Sequence, residues 1–268
     1  MSYLIGVVGR GVVGEAVYVG MRDLGHNVCF HDIKFKDSEL TNIIKSDIVF
    51  VCVPTPSTSS GACDTSIVES VVNEICDLGY DGIICIKSTV TPGTTDLLLE
   101  KNPANRICFV PEFLRERCAL QDFKDNHDIC FIGTNNQEVY EKIKSAHAHY
   151  PNEFKMLSTK EAEMSKYFNN VYNATLITFA NSIYEICKKL DINYMNVKNA
   201  IVNRDHINDI YMDCNDELRG FGGMCLPKDT KNLAAIVRDL GIDVEFFKNI
   251  IEENDKYKTT VFKGMRIK

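Results

Sequence analysis

The amino-acid sequence predicts an α/β protein with a doubly wound parallel sheet, followed by an all-helical domain with a long central helix. Up to about residue 157, short apolar runs alternate with helical patterns. The apolar runs are nearly continuous, which is typical of strands that are covered on both faces. After residue 157 a helical pattern without proline or glycine continues to about Leu190, which favours one long helix.

Six segments of the first part are predicted strands, and a helix between two of them has a clear apolar face. This helix covers residues 66–78, and its apolar face consists of Ile67, Val68, Val71, Val72, Ile75 and Cys76. Alternation of strands and helices predicts right-handed crossovers between parallel strands. The predicted strands are residues 3–8, 27–31, 48–53, 82–87, 107–110 and 128–133.

The second part begins with a helix start signal. Ser158 and Glu161 have the spacing of a capping box, in which each side chain bonds to the backbone of the other residue. A helix of 30 residues is about 45 Å long, which suits a domain spine or a dimer seam. Shorter helices follow, interrupted by a glycine-rich loop at 220–223. We expect a dinucleotide-binding domain at 1–157 and a helical domain for dimerisation and catalysis at 158–268.

Composition excludes several function classes. The net charge is −7, from 30 Lys+Arg and 37 Asp+Glu, and no basic run offsets it, so we expect no nucleic-acid partner. The longest apolar run, 48–53, is far shorter than the roughly 20 residues that span a membrane, and no signal peptide is expected. The 11 cysteines are scattered without a CxxC pair, which indicates reduced thiols, a cytoplasmic location and no zinc site.

A glycine-rich turn follows the first predicted strand and opens a helix. Gly9, Gly11 and Gly14 form a GxGxxG with Val12 and Val13 between the last two glycines. Asp32 ends the second predicted strand, 23 residues after Gly9. This context is the fingerprint of a Rossmann-type dinucleotide site, with the pyrophosphate at the helix N-terminus and the carboxylate on the ribose hydroxyls. We expect NAD rather than NADP, although Lys34 and Lys36 weaken that preference.

Five motifs, in order along nearly the whole chain, resemble those of the UDP-glucose/GDP-mannose dehydrogenase family. They are Val-Pro-Thr-Pro at 53–56, Lys-Ser-Thr-Val-Thr-Pro-Gly at 87–93, Pro-Glu-Phe-Leu-Arg-Glu at 111–116, Ala-Glu-Met-Ser-Lys at 162–166 followed by Asn170, and Phe-Gly-Gly-Met-Cys-Leu-Pro-Lys-Asp at 221–229. The resemblance implies oxidation of the 6-hydroxyl of a nucleotide sugar, most simply UDP-glucose to UDP-glucuronate, with NAD as the oxidant.

Loss of two hydrides requires that the intermediate aldehyde be held between the two steps. A cysteine thiolate does this by adding to the aldehyde as a thiohemiacetal, which a second hydride loss converts to a thioester. By resemblance that cysteine is Cys225, which stands among glycines. We interpret the other ten cysteines as small buried hydrophobes.

The resemblance also implies roles for residues around Cys225. Lys166 and Asn170, four apart on the long helix, would stabilise oxyanions. Asp229 would accept a proton, with Thr89 and Glu112 positioning water. Thr55, Thr89, Glu116 and Lys228 join the glycine turn and Asp32 as expected cofactor-binding residues. The expected substrate-binding residues are Glu112, Phe113, Leu114, Lys166, Asn170, Gly222 and Cys225.

Three features depart from the family pattern. His206 stands where an arginine is usual, and Leu176 occupies a position that is often basic. The family also carries a third, C-terminal domain that grips the nucleotide, whereas this sequence stops soon after Asn254. We therefore expect normal NAD binding but poor oxidation of UDP-glucose, unless a dimer partner or a separate nucleotide-binding polypeptide supplies those contacts.

The long helix is apolar around much of its circumference, which predicts a homodimer. The apolar residues are Tyr167, Phe168, Val171, Tyr172, Leu176, Ile177, Phe179, Ile183 and Ile186.

Two other functions stay open on the sequence. One is a two-domain β-hydroxyacid-type dehydrogenase with a small substrate, which shares the Lys and Asn four residues apart but makes one hydride transfer without a cysteine. The other is a catalytically silent nucleotide-binding or dimerisation protein. Cys225 and the 111–116 motif argue against the first of these, and retention of every chemical residue type argues weakly against the second.

Overall fold

A computed structural model describes residues 2–260, and the last eight residues of the predicted helical domain lie outside this range. The described part divides into two units. The first contains residues 2–56 and 63–166, and the second contains residues 57–62 and 167–260.

The first unit contains seven strands and five of the helices found in the described chain. Its strands are β1 (Leu4–Val8), β2 (Asn27–His31), β3 (Ile48–Val51), β4 (Ile83–Ile86), β5 (Arg106–Phe109), β6 (Ile129–Gly133) and β7 (Glu153–Leu157). Its helices are α1 (Val12–Asp23), α2 (Ser66–Asp77), α3 (Thr94–Lys101), α4 (Ala119–Lys124) and α5 (Gln137–His147).

The strands form one sheet in the order β2-β1-β3-β4-β5-β6-β7. Strands β1 to β5 pair in parallel, as do β6 and β7, but β5 and β6 meet antiparallel at Phe109 and Gly133. The expectation of a parallel sheet is therefore wrong at this junction, because an apolar run indicates burial on both faces but not strand direction.

The sheet has an apolar core on each face because successive side chains of a strand point to opposite sides. Ile48 and Phe50 of β3 belong to the core that includes α1, α4 and α5. Val49 and Val51 belong to the core that includes α2 and α3. These four residues are fully buried, which explains why the sequence of β3 is a continuous hydrophobic run.

The long helix predicted from the sequence is α6 (Thr159–Lys189). Its capping box forms as expected, since the N–H of Ser158 donates to Glu161 Oε2 at 2.8 Å and the N–H of Glu161 donates to Ser158 Oγ at 3.4 Å. The remaining helices are α7 (Tyr194–Ile201), α8 (Leu226–Asp239) and α9 (Phe246–Asn254). The second unit is not wholly helical, because β8 (Gly220–Phe221) and β9 (Thr259–Thr260) pair in parallel.

In the second unit α6 is packed by small apolar clusters rather than by one large core. Tyr167 and Val171 pack with Leu233 of α8, and Ala174 packs with Ile250 of α9. Further along the helix, Ala180 and Cys187 pack with Tyr194 of α7. These clusters fix α8 and α9 against the part of α6 that carries Asn170.

Gly133 allows the first turns of α6 to approach the sheet. A Cβ at Gly133 would lie 2.6 Å from Ala162 Cβ and 3.1 Å from the carbonyl oxygen of Phe109. Because neither neighbour is a flexible side-chain end, we predict that Gly133→Ala lowers the free energy of unfolding by about 1–3 kcal/mol. Urea denaturation would measure this.

The control is Gly11→Ala, because no described atom lies within 4 Å of a Cβ built there. Its loss should stay below about 1 kcal/mol, the cost of alanine at a helix N-cap. Equal midpoints for Gly133→Ala and the parent protein would contradict the close packing of α6 on β6.

Candidate functional site

The glycine turn after β1 combines two crowded glycines with an open one. Gly9 has φ +85°, and a Cβ there would lie 2.8 Å from the carbonyl oxygen of Cys52. A Cβ on Gly14 would lie 1.8 Å from the carbonyl oxygen of Gly9. Gly11 is instead exposed at the N-cap of α1, where no side chain of the described residues caps the helix. The first N–H groups of α1 are therefore not capped by a side chain of the N-cap residue, and a helix start of this kind fits an anionic pyrophosphate.

Asp32 follows β2 and is 9% exposed. Its carboxylate accepts hydrogen bonds from the N–H groups of Lys34, at 2.8 Å, and Arg10, at 2.6 Å. Burial opposes ionisation, but these bonds outweigh it and lower the pKa of Asp32. An ionised carboxylate beside the glycine turn fits ribose hydroxyls and would repel a 2′-phosphate.

Arg10, to which the sequence analysis assigned no role, is held in this region by several groups. Its guanidinium stacks over the rings of Tyr18 and Phe30, with centroid distances of 4.1 and 4.4 Å. It also pairs with Glu15 at 2.5 Å. Residue spacing gave no signal for this stack, because it joins α1 to β2.

All predicted site residues of the first unit except Val12, Val13, Gly14 and Lys166 follow the carboxyl ends of β1 to β5. Thr55 comes after β3, Thr89 after β4, and Glu112 after β5. Thr55 and Thr89 are buried, at 8% and 9% exposure. Carboxyl ends of parallel strands share one edge of a sheet, and this is the edge where open α/β sheets bind ligands.

Glu112 and Lys166 form a buried ion pair. Lys166 Nζ lies 2.8 Å from Glu112 Oε1 and also donates to the Glu112 carbonyl oxygen. Their side chains are 9% and 3% exposed. Glu112 Oε2 accepts the N–H of Leu114 at 2.8 Å, and the Phe113 ring centroid lies 5.7 Å from Lys166 Nζ. The 111–114 segment is thus folded around the lysine ammonium.

A second polar cluster lies in the second unit. Asn170 Nδ2 donates to Asp229 Oδ2 at 2.6 Å, and Lys228 Nζ lies 2.6 Å from Asp229 Oδ1. Asp229 is fully buried and Asn170 is 5% exposed. Lys228, expected to contact the cofactor, is therefore ion-paired with the expected proton acceptor. Along α6, Asn170 follows Lys166 by one helical turn.

Cys225 stands at the N-cap of α8, one turn before Asp229. It is exposed, whereas each of the other ten cysteines, all within the described range, is buried or half-buried. Gly223 has φ +79°, a conformation that favours glycine in the turn that presents the cysteine. Gly222 is half-buried, and the neighbouring Met224 is 76% exposed. The start of a helix favours an anionic sulfur.

Arg115 and Asp122 form a clamp on the segment that contains Glu112, and the sequence analysis missed it. Arg115 Nε and Nη2 donate to the two oxygens of Asp122 at 2.9 and 2.6 Å. Glu116, expected at the cofactor, is exposed in the short 3₁₀ turn Glu116–Cys118. Arg115 precedes α4, which carries Asp122, so the two residues do not share one helix and helical spacing could not reveal the pair.

The described residues contain neither a metal-binding cluster nor a membrane-spanning helix. Among residues 2–260, no group of three or more His, Cys, Asp or Glu side chains is placed to hold a metal ion. No helix in the same range combines the length and apolar composition needed to cross a membrane.

Two domain models of one family match the chain. The NAD binding domain of the UDP-glucose/GDP-mannose dehydrogenase family matches residues 32–151, and the central domain of that family matches residues 160–256. UDP-glucose 6-dehydrogenase of Rickettsia typhi is 30% identical over 92% of this chain and 65% of its own length. The chain therefore spans slightly less than two thirds of that relative.

Solved structures agree on the fold. A UDP-glucose dehydrogenase from the archaeon Pyrobaculum islandicum superposes with a TM-score of 0.87 at 25% identity, over 96% of this chain and 68% of its own. A 3-hydroxyisobutyrate dehydrogenase from Mycobacterium tuberculosis gives 0.78 at 14% identity, over 96% and 94%. The second similarity concerns the fold alone.

The clamp formed by Arg115 and Asp122 should make the stability of the protein depend on pH. Burial raises the pKa of Asp122, but hydrogen bonds from Arg115 and Asn126 outweigh it and lower the pKa from 3.8 to about 2. A depressed carboxyl pKa contributes stability above about pH 4, and this contribution is lost as the pH falls through 2. Because Arg115 is 45% exposed and screened by water, we expect Asp122→Asn to cost about 1–2 kcal/mol at pH 7.

Urea unfolding at a series of pH values would check this. The difference in the free energy of unfolding between the parent protein and Asp122→Asn should become smaller as the pH falls from 4 to 2. Asp125→Asn, an exposed neighbour, is the matched control and should show no such trend. A difference that stays constant over this range would rule out the clamp.

Proposed function

Because this chain belongs to the UDP-glucose/GDP-mannose dehydrogenase family, we propose that it oxidises the 6-hydroxyl of a nucleotide sugar to a carboxylate with NAD. UDP-glucose is the first candidate substrate. The observation that carries the proposal is the placement of Cys225, exposed at the start of α8, one turn before the buried Asp229. The scattered cysteines favour a reducing, cytoplasmic location.

The residues at the carboxyl ends of β1 and β2 would hold the cofactor. The N–H groups at the start of α1, with Val12 and Val13 in its first turn, would bind the pyrophosphate, and Asp32 would bind the adenosine ribose. The other residues that we assign to cofactor binding are Thr55, Thr89, Glu116 and Lys228. When bound, NAD would accept the hydride of each oxidation.

The chain's own groups would manage charge and protons at the reacting carbon. The ammonium of Lys166 and the amide of Asn170 are donors that would stabilise negative charge on its oxygen. The Cys225 thiolate would form a C–S bond to the aldehyde, giving a thiohemiacetal, and the second oxidation would give a thioester. Water then cleaves the C–S bond, which releases the acid and restores the thiol.

Carboxylates would take the protons that these steps release. Asp229 is hydrogen-bonded to Asn170, and Glu112 to Lys166, so each donor has an acceptor beside it. We assign Asp229 as the proton acceptor and Glu112, with Thr89, as the group that positions water. Phe113, Leu114 and Gly222 are assigned to the walls of the substrate site.

The number of NADH released per substrate tests this function. The parent protein, assayed with a panel of nucleotide sugars and small hydroxy acids, should release two NADH per nucleotide sugar. We predict that Cys225→Ser abolishes acid formation and leaves NAD binding unchanged, because a serine alkoxide is far harder to form than a thiolate. Product analysis and calorimetric titration with NAD would measure these two properties.

Cys76→Ser, at a half-buried cysteine in α2, is the matched control and should keep full oxidation. Complete acid formation by Cys225→Ser would exclude the covalent mechanism. One NADH from a small hydroxy acid, with none from nucleotide sugars, would favour the β-hydroxyacid-type reaction. Absence of turnover with every compound would favour a silent binding protein.

We also propose that the chain forms a homodimer through α6 and α7. An apolar groove of about 880 Å³ lies in the second unit. Phe168, Tyr172, Phe179 and Ile186 of α6 are each at least 51% exposed, which is unusual for large apolar side chains on one helix. His206 and Leu176, the two departures from the family pattern, both line the groove. Its other lining residues include Ile183, Val197, Ile201, Ile207 and Met212.

Sedimentation at micromolar concentration should therefore give a species of about twice 30.3 kDa. We predict that Phe179→Glu weakens association roughly tenfold or more, because it would bury a carboxylate among apolar groups. Leu97→Glu, at an equally exposed leucine of α3 in the first unit, is the control and should leave association unchanged. A single 30-kDa species for the parent protein would contradict the dimer.

A further inference from the structure

Glu163 is a fully buried carboxylate to which neither the sequence analysis nor the proposed mechanism gives a role. It lies in the second turn of α6 and has no solvent exposure. Its Oε2 accepts the N–H of Gly93 at 2.5 Å, and its Oε1 accepts the N–H and hydroxyl of Thr95 at 2.8 and 2.7 Å. A buried carboxylate is costly unless it is bonded in this way.

The hydrogen bonds of Glu163 tie two helix starts together. Gly93 is the N-cap of α3 and has φ +103°, so the carboxylate binds the unpaired N–H groups at the start of that helix. The first turn of α6 adds two contacts to α3. Thr159 Oγ1 donates to Asp96 Oδ1, and Lys160 Nζ lies 3.3 Å from Asp96 Oδ2. On the sheet side, Ala162 is held against Gly133.

Two residues of the proposed mechanism lie next to this tie. Lys166 follows Glu163 by three residues and therefore shares its helix face. Thr89 precedes Gly93 by four residues, in the loop between β4 and α3. Thr91 fixes that loop further, because its carbonyl oxygen accepts the hydroxyl of Thr94 at 2.6 Å. A shift of Glu163 would move α6 relative to the loop that carries Thr89.

We propose that Glu163 is a positioning residue that fixes Lys166 against Glu112 by anchoring α6 to the N-terminus of α3. The inference rests on the proposed function, because it takes Lys166 as the oxyanion-stabilising group. Glutamine at position 163 would turn an N–H donor toward Gly93 or Thr95, both of which also present N–H donors. The anchor would loosen while side-chain size stays the same.

A double-mutant cycle separates positioning from general stability. In Glu163→Gln, we expect kcat to fall roughly 10- to 100-fold, with KM for NAD changed less than about twofold. In a Lys166→Ala background, the same substitution should change kcat less than about twofold, because the group it positions is already absent. The thermal midpoint should fall equally in both backgrounds. Glu141→Gln, at an exposed glutamate of α5, is the charge-matched control.

Equal fold losses of kcat in both backgrounds would overturn the proposal, as would an unchanged kcat in Glu163→Gln. If Lys166→Ala alone leaves turnover unchanged, the proposed role of Lys166 fails. Hydrogen exchange then decides the role of Glu163 without any turnover.

The Leu114 N–H is a reporter of the Lys166–Glu112 pair, because it donates to the Glu112 carboxylate. Resolved amide exchange should show faster exchange at Gly93, Thr95 and Leu114 in Glu163→Gln. In Lys166→Ala only Leu114 should change. Protection of Leu114 that is unaltered in Glu163→Gln would overturn the proposal whatever the activity.

A milder pair of variants covers the case that Glu163→Gln does not fold. Thr95→Val removes the hydroxyl bond to Glu163 but keeps the N–H bond, and Thr95→Ser keeps both. We expect Thr95→Val to lower kcat several-fold in the parent background but not with Lys166→Ala, and Thr95→Ser to retain most of it. Equal kcat values for Thr95→Val and Thr95→Ser would overturn the role of the carboxylate.

Discussion

The first two turns of α6 are held against the sheet by close backbone packing and bound to the start of α3 by one buried carboxylate. Ala162 reaches the sheet because Gly133 has no side chain, and Glu163 binds the N–H groups at the start of α3. Side chains three and four residues apart share a helix face, so the anchored turns determine where Lys166 projects. The buried pair with Glu112 follows from that placement.

Three of the poorly exposed ionisable groups lie where chemistry is proposed. Glu112, Lys166 and Asp229 are ionisable groups with little or no exposure, and each has a partner within 2.8 Å. Replacing such pairs by apolar side chains is often neutral or stabilising, so stability alone gives weak reason for them. The proposed reaction gives a stronger reason, because hydrogen-bond donors and acceptors stabilise developing charge more strongly in a site that excludes water.

Much of the fold was predictable from the sequence because strands that are buried on both faces consist almost entirely of apolar residues. The runs that form β1 and β3 to β6 are apolar at nearly every position, and the capping box at Ser158 marks the start of α6 within one residue. Strand β7 was missed because Glu153 and Lys155 alternate with apolar residues and are exposed, as on a half-covered edge strand. The direction of β6 relative to β5 is likewise absent from an apolar pattern.

Less of the site than of the fold could be predicted from the residues alone. The spacing of the glycines and of Asp32 was enough to predict a dinucleotide site. Cys225, Asp229 and Glu112 were instead identified through the resemblance to a family. The bonds from Glu163 to Gly93 and Thr95 span about 70 positions and join segments whose sequences carry no common period. Tertiary contacts of this kind depend on how the helices pack, and the spacing of residues within one segment does not predict that packing.

The fold alone does not distinguish the proposed double oxidation from a single one. It superposes on a 3-hydroxyisobutyrate dehydrogenase with a TM-score of 0.78 although only 14% of residues are identical. That similarity concerns the fold alone, so function has to be argued from the site. The distinguishing feature is local: a turn with Gly223 at positive φ exposes Cys225 at a helix start, beside a buried aspartate. A reaction that stops after one hydride loss has no use for a nucleophile there, so the case for two oxidations depends on that turn.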